Sequence, residues 1–188
     1  MKNNTIQEEA LRDLQSIREM MQKTRHAINA AGTGQIMVLW GVVWLLGFGG
    51  SQFLEPSAAG TLWMVLDIAG AVGSMWFGAR LGRKVQSYPG YRIGLWWLAL
   101  LVYAGLIGWL VGIESQVEFD LFITLFVGLG YVLSGILLSR IVTWVGLGLT
   151  AVAILGYFLL PDWFSLWMAI LGGGTLIGTG LWIIRHWR

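Results

Sequence analysis

The sequence predicts an all-α integral membrane protein, with six transmembrane helices arranged as three hairpins and one cytoplasmic amphipathic helix before them. Three observations lead to this prediction: 56% of the 188 residues are hydrophobic, only 12% are charged, and the apolar residues gather into six long runs. Such a chain has too few polar side chains to cover a surface that faces water, so its solvent is expected to be a lipid bilayer. The predicted domains are residues 1–31, the cytoplasmic helix, and residues 32–188, the six-span unit.

The N-terminal segment is the one sizeable polar part of the chain, and residues 5–30 are predicted to form the amphipathic helix. Thr5 and Glu8 have the spacing of a capping box. Apolar residues then recur at steps of three and four, which is the spacing of a coiled-coil seam. The main members of this seam are Leu14, Ile17, Met21 and Ile28. The seam suits self-association into a homo-oligomer, contact with a cytosolic protein partner, or attachment to the inner membrane surface.

Six apolar runs of about 19 to 22 residues are long enough to cross a bilayer. They lie near residues 34–54, 61–79, 94–113, 120–139, 141–160 and 163–184. The runs lack strand-type alternation, and a backbone in lipid must satisfy its own hydrogen bonds, so each run is predicted to be a helix. The second, fourth and sixth runs begin with similar residues, and each ends near an arginine. This similarity fits either an old hairpin duplication or common rules for the ends of membrane helices.

The placement of charges predicts the orientation of the spans. All twelve Lys and Arg residues fall in the N-terminal segment, between runs two and three, between runs four and five, or at the C-terminal end. The other connections carry only acids: Glu55, Glu114, Glu118, Asp120 and Asp162. Both termini are therefore expected in the cytoplasm, and the predicted location is a bacterial inner membrane. Asp120 is expected to lie with Glu114 and Glu118 in a solvated acidic loop.

Small residues at steps of four predict positions of close helix packing, because they let two membrane helices approach each other. The positions are Gly70, Ser74 and Gly78 in the second run, Gly108 and Gly112 in the third, and Gly174 and Gly178 in the sixth. A homodimer face is the alternative interpretation of these small residues. The three consecutive glycines at 172–174 also suggest an unwound stretch, as found in some transporters.

Asp67 is the one acidic residue well inside a predicted span. An aspartate at the centre of a membrane helix costs about 2.5–3.5 kcal/mol on insertion scales, and less towards the interface. Asp67 is expected roughly 8 Å below the outer end of its helix. Trp44 and Gln52 of the first run are its candidate partners. The three residues are interpreted either as a structural group or as the lining of a polar cavity that opens outward.

The remaining composition argues against several classes of chemistry. The chain has no cysteine, which excludes disulfides and thiolate metal sites. Its two histidines, His26 and His186, both fall on the predicted cytoplasmic side. No catalytic residue, cofactor, metal site or nucleic-acid partner is therefore predicted.

Two hypotheses for function follow. The favoured one is a small non-enzymatic membrane protein with a regulatory, accessory or interaction role, whose N-terminal helix contacts itself or a cytosolic partner. The alternative is a small-solute or proton-linked transporter or channel that uses Asp67.

Overall fold

A computed structural model describes residues 32–82, 90–138 and 140–186. In this part of the chain the secondary structure is helical, and six spans are long and apolar enough to cross a membrane. The predicted all-helical, multi-pass class is thereby confirmed. The predicted N-terminal helix and its seam residues, Leu14, Ile17, Met21 and Ile28, lie outside the described residues.

The first five spans are each a single helix. Their bounds are α1 (Gly34–Ser51), α2 (Pro56–Gly82), α3 (Gly90–Val111), α4 (Gln116–Leu138) and α5 (Arg140–Leu159). The largest difference from the predicted bounds is at the start of α2, which begins at Pro56 rather than at residue 61. Proline suits this first helical position because its fixed φ is helical and its missing N–H has no intrahelical partner there.

The sixth span, Pro161–His186, changes its helical geometry along its length. A 3₁₀ turn, Pro161–Trp163, leads into α6 (Phe164–Trp167), then into a π-helix, Met168–Gly173, and finally into α7 (Gly174–His186). The glycines at 172–174 therefore continue the helix instead of forming an unwound stretch. Short π-helical segments are rare and are often found at functional sites.

Each span packs against the spans before and after it in the chain, and the sixth span also packs against the first. The most extensive contacts join α4 to α5 and α1 to the sixth span, whereas α2 and α3 touch each other only lightly. The hydrophobic core accordingly runs through α1, α4, α5 and the sixth span. Its fully buried members include Leu149, Phe164, Met168 and Leu176.

α1 and the sixth span meet backbone to backbone through four glycines. A Cβ atom on Gly41 would lie 2.9 Å from the carbonyl oxygen of Gly173, and one on Gly180 would lie 2.6 Å from that of Gly34. On each helix the two glycines are seven residues apart, about two helical turns. Because a side chain would separate the helices, glycine is required for this approach, which gains dispersion energy in lipid. We call these four residues the glycine clasp.

α4 and α5 pack by the same seven-residue rule. Gly128 of α4 lies opposite Thr150 of α5, and Gly135 lies opposite Thr143. The two glycines and the two threonines are each seven residues apart, and they run in opposite directions along the two helices. A Cβ atom on Gly146 would lie 2.6 Å from the carbonyl oxygen of Gly128. The antiparallel register of the two helices is therefore defined by small residues on both of them.

Candidate functional site

The three residues proposed from the sequence as a polar cavity have different surroundings. Asp67 is exposed on the surface of α2. Trp44 is only 5% exposed. Its ring packs edge-to-face with that of Phe48, with 5.5 Å between the centroids, and lies against Gly172 of the π-helix. The structure therefore places Trp44 in the contact between α1 and the sixth span, and Asp67 outside it.

Gln52 joins the end of α1 to the start of the sixth span. Its Nε2 donates a hydrogen bond to the backbone oxygen of Asp162 at 3.1 Å, and its Oε1 accepts one from the backbone N–H of Leu166 at 3.2 Å. Leu166 lies in the first turn of α6, where backbone N–H groups lack partners within the helix. In the described part of the chain Gln52 thus acts as a cap for the sixth span, and its hydrogen bonds do not involve Asp67.

Tryptophan rings cover glycines of neighbouring helices at five places in the described residues. The pairs are Trp40 on Gly70, Trp44 on Gly172, Trp63 on Gly47, Trp97 on Gly130 and Trp167 on Gly156. Three of these indoles also bond across helices. Trp40 Nε1 donates to Ser74 Oγ at 3.0 Å, Trp63 Nε1 donates to Ser51 Oγ at 2.9 Å, and Trp167 Nε1 donates to the backbone oxygen of Val152 at 2.8 Å. These bonds satisfy N–H groups that lipid cannot satisfy. The tryptophans are therefore packing groups as well as interfacial ones.

Three of the predicted helix-packing residues lie in helix contacts. Gly70 and Ser74 of α2 meet Trp40 of α1, and a Cβ atom on Gly108 of α3 would lie 3.4 Å from the ring of Phe122 on α4. The lack of a large side chain at these positions lets an aromatic ring from the next helix fill the space.

The other four predicted packing residues face open space. A Cβ atom on Gly78, Gly112, Gly174 or Gly178 would meet no described atom within 4 Å. In the sixth span the close approach is made by Gly173 and Gly180, because the helix turns those two residues towards α1. Gly112 has another use: its φ of +70° suits glycine at the end of α3.

The expectation that Asp120 lies in a solvated loop is wrong. Because α4 begins at Gln116, Asp120 lies one turn inside the helix and is only 6% exposed. Its Oδ1 accepts a hydrogen bond from Gln116 Nε2 at 2.8 Å, whereas its Oδ2 has no partner among the described residues. Thr124, one turn further on, is fully buried, and its hydroxyl oxygen likewise lacks a described partner. We call Gln116, Asp120 and Thr124 the α4 polar triad.

A sequence signal for the α4 polar triad exists. Gln116, Asp120, Thr124 and Gly128 recur at steps of four, which places polar or small residues on one helix face. Gly128 contacts α5, and Asp120 and Thr124 on the same side of α4 are buried. Hydropathy predicts a fourth span that begins at residue 120, which leaves Gln116 outside the helix and hides the step of four.

The α4 polar triad offers one free carboxylate oxygen and one hydroxyl oxygen in a buried setting. In the described residues, no three His, Cys, Asp or Glu side chains are grouped so as to hold a metal ion. The chain matches no protein family, no curated protein and no solved structure with which it was compared. Hypotheses for its function therefore depend on the residues themselves.

Proposed function

We propose that this chain is a small non-enzymatic membrane protein with a regulatory or accessory role, and that its N-terminal segment contacts itself or a cytosolic partner. In this proposal the six spans form three hairpins in a bacterial inner membrane, with both termini in the cytoplasm. Charge placement supports the orientation. Exposed acids, among them Glu55, Glu114 and Asp162, lie in or beside alternate connections, and the exposed bases Arg80, Arg140 and Arg185 lie at the opposite helix ends.

The glycine clasp is the observation that supports the proposal most directly. Gly34, at the start of α1, lies against Gly180, near the end of α7. Residues 1–31 therefore connect to the bundle next to a helix end that is fixed by a backbone-to-backbone contact. In this proposal, the contact fixes the point on the bundle from which the interaction segment extends towards a partner.

Photo-crosslinking in intact cells tests this proposal on the full chain. A photoreactive amino acid at Ile17, on the predicted seam, is compared with the same group at Ser16, which lies about 100° away around the helix. We expect a discrete protein adduct from position 17 and little or none from position 16. An adduct of twice the mass identifies self-association, and a different mass identifies a partner. Equal labelling at both positions, or labelling of lipid alone, would contradict the proposal.

A further inference from the structure

Asp67 is an acid on the outer surface of a membrane-spanning helix. Its side chain is exposed, and it lies about 16 Å from Pro56 at one end of α2 and about 20 Å from Arg80 near the other. Among the described residues, the side-chain hydrogen bonds of α2 do not involve Asp67; they are made by Thr61, Trp63 and Ser74. In a single copy of the chain, this carboxyl group therefore faces the hydrocarbon near the middle of the span.

A carboxyl group at this depth needs a partner that lipid does not supply. Acids within membrane spans almost always face the interior of a bundle or a water-filled cavity, or they pair with one another. α2 offers little interior, because only 6% of its most apolar 18 residues are buried, the lowest share among the described spans. The exposure of Asp67 therefore indicates that another protein surface covers this side of α2.

The side of α2 that carries Asp67 is also shaped for close contact. Four residues lie within about 40° of one another around the helix: Gly60, Asp67, Ala71 and Gly78. We call them the Asp67 row. A Cβ atom on Gly60 or Gly78 would meet no described atom within 4 Å, and Ala71 is exposed. Gly70, which faces α1, lies about 80° from the centre of the row, so α1 leaves the row uncovered.

The spacing of the Asp67 row matches the contacts that this chain makes within itself. Gly60 and Asp67 are seven residues apart, as are Ala71 and Gly78. The glycine clasp and the α4–α5 pair use small residues at the same spacing to bring two helices together. Small residues alone do not identify an interface, but here they flank an acid that needs a partner. They let a second helix approach closely enough to supply one.

A second copy of the chain meets the requirements of this surface. Two copies inserted in the same direction are related by a two-fold axis along the membrane normal, which brings each residue of the row opposite its own counterpart at the same depth. Such a contact requires a surface that complements itself. A carboxylic acid does so, because its O–H group donates a hydrogen bond and its other oxygen accepts one. An unrelated protein would instead need a polar group of its own at this depth.

We propose that α2 forms the interface of a homodimer, in which the Asp67 rows of two copies pack against each other and the two Asp67 carboxyl groups hydrogen-bond across the axis. This contact buries the least buried span of the described chain and removes its acid from the lipid. The proposal goes beyond the proposed function and does not depend on the N-terminal segment.

Disulfide cross-linking of the full chain tests the proposal, and the chain suits it because it has no cysteine of its own. Ala71→Cys places a thiol in the Asp67 row. Ala69→Cys places one at nearly the same depth but about 160° away around α2, on a side that is equally exposed. Each variant, diluted in vesicles of phosphatidylethanolamine and phosphatidylglycerol, is oxidised with copper phenanthroline. Because a disulfide requires Cα atoms about 4.4–6.8 Å apart, we expect several-fold more dimer from Ala71→Cys.

The matched pair distinguishes this proposal from the alternatives. Equal dimer from the two positions would identify random collision, and little dimer from either would show that lipid covers the row. A contact made by the N-terminal segment alone favours neither position, so the outcome is independent of the proposed function. Cross-linking of Ala71→Cys in intact cells to a protein of another mass, in place of a second copy, would identify a different partner. Each of these results would overturn the proposal.

Variants of Asp67 test the hydrogen bond itself. Energy transfer between copies labelled at the C-terminus, followed as the protein is diluted with lipid, measures the dimer affinity. Asp67→Leu removes the polar group and should weaken the dimer about 3- to 30-fold, the range that corresponds to hydrogen bonds between membrane helices. Asp67→Asn should keep most of the affinity, because an amide also donates to and accepts from its own copy. Equal affinity in the wild type and Asp67→Leu would overturn the role assigned to Asp67.

Discussion

The six spans divide into a closely packed set and a lightly packed pair. In the most apolar 18 residues of each span, 39% of residues are buried in the first, fourth and sixth spans and 33% in the fifth, compared with 6% in the second and 11% in the third. The closely packed spans touch through backbones, at the glycine clasp and at the glycines of α4 and α5. The second and third spans are attached through side chains, mainly tryptophans.

The difference shows how little internal burial a membrane helix needs. Met75 of α2 is 73% exposed and Trp109 of α3 is 78% exposed. In water such surfaces would drive aggregation, but lipid tails cover them at no cost because they are equally apolar. Helices in lipid are held together by close contact and hydrogen bonds instead, and these are concentrated in the closely packed set. We therefore expect substitutions there to have the largest effects.

The largest effect is expected in the glycine clasp. In Gly173→Ala the new Cβ atom would lie 2.9 Å from the carbonyl oxygen of Gly41 and 3.0 Å from the backbone nitrogen of Leu45. Because neither backbone can move away freely, we expect the free energy of unfolding to fall by about 1–3 kcal/mol. Titration with SDS in mixed micelles, followed by tryptophan fluorescence, measures the change.

The matched control for this prediction is the next residue. Gly174→Ala adds the same methyl group where no described atom lies within 4 Å. Alanine is the better helix former by about 0.8–1.0 kcal/mol, so this variant should be as stable as the wild type or more stable. Equal losses in the two variants would show that the glycines matter for helix flexibility rather than for the clasp.

A smaller effect is expected where α2 is attached to α1. A double-mutant cycle with Trp40→Phe and Ser74→Ala should give a coupling energy of about 0.6 kcal/mol, the usual value for a hydrogen bond between membrane helices. The same unfolding titration supplies the four free energies. Trp76→Phe, at an exposed indole of α2 itself, should show no coupling to Ser74→Ala. Coupling of equal size in that control would remove the evidence for a specific bond.

The smallest effect is expected at Asp67. Because the side chain is exposed on the lightly packed α2, Asp67→Asn should change the free energy of unfolding by no more than about 0.5 kcal/mol. The measurement is the same titration, at neutral pH. A fall in the free energy of unfolding several times larger would mean that Asp67 is hydrogen-bonded inside the assembled protein. The polar cavity proposed from the sequence would then be favoured again.

Asp120 shows where prediction from the sequence failed and why. Its place at the edge of an apolar run predicts a loop residue, because hydropathy averaged along a chain cannot tell where a helix starts. Because four helical residues, Gln116 to Phe119, precede Asp120, its carboxylate is a buried group rather than a solvated one. The step of four that links it to Thr124 is visible in the sequence. That the shared face is buried is visible only once the neighbouring helices are packed around α4.

For the residues that the structure describes, the sequence by itself determined that they are helical, that they form six spans long enough to cross a membrane, and nearly where each span begins and ends. These properties depend on local composition, since a backbone in lipid must bond within its own helix. The tertiary structure decided which glycines touch: Gly173 rather than Gly174, and Gly180 rather than Gly178. Neighbouring glycines are chemically identical, and lipid and protein are equally apolar surroundings for them. Only the rotation of each packed helix about its own axis decides which of two nearby glycines faces the partner helix. That rotation is set by contacts between residues far apart in the chain.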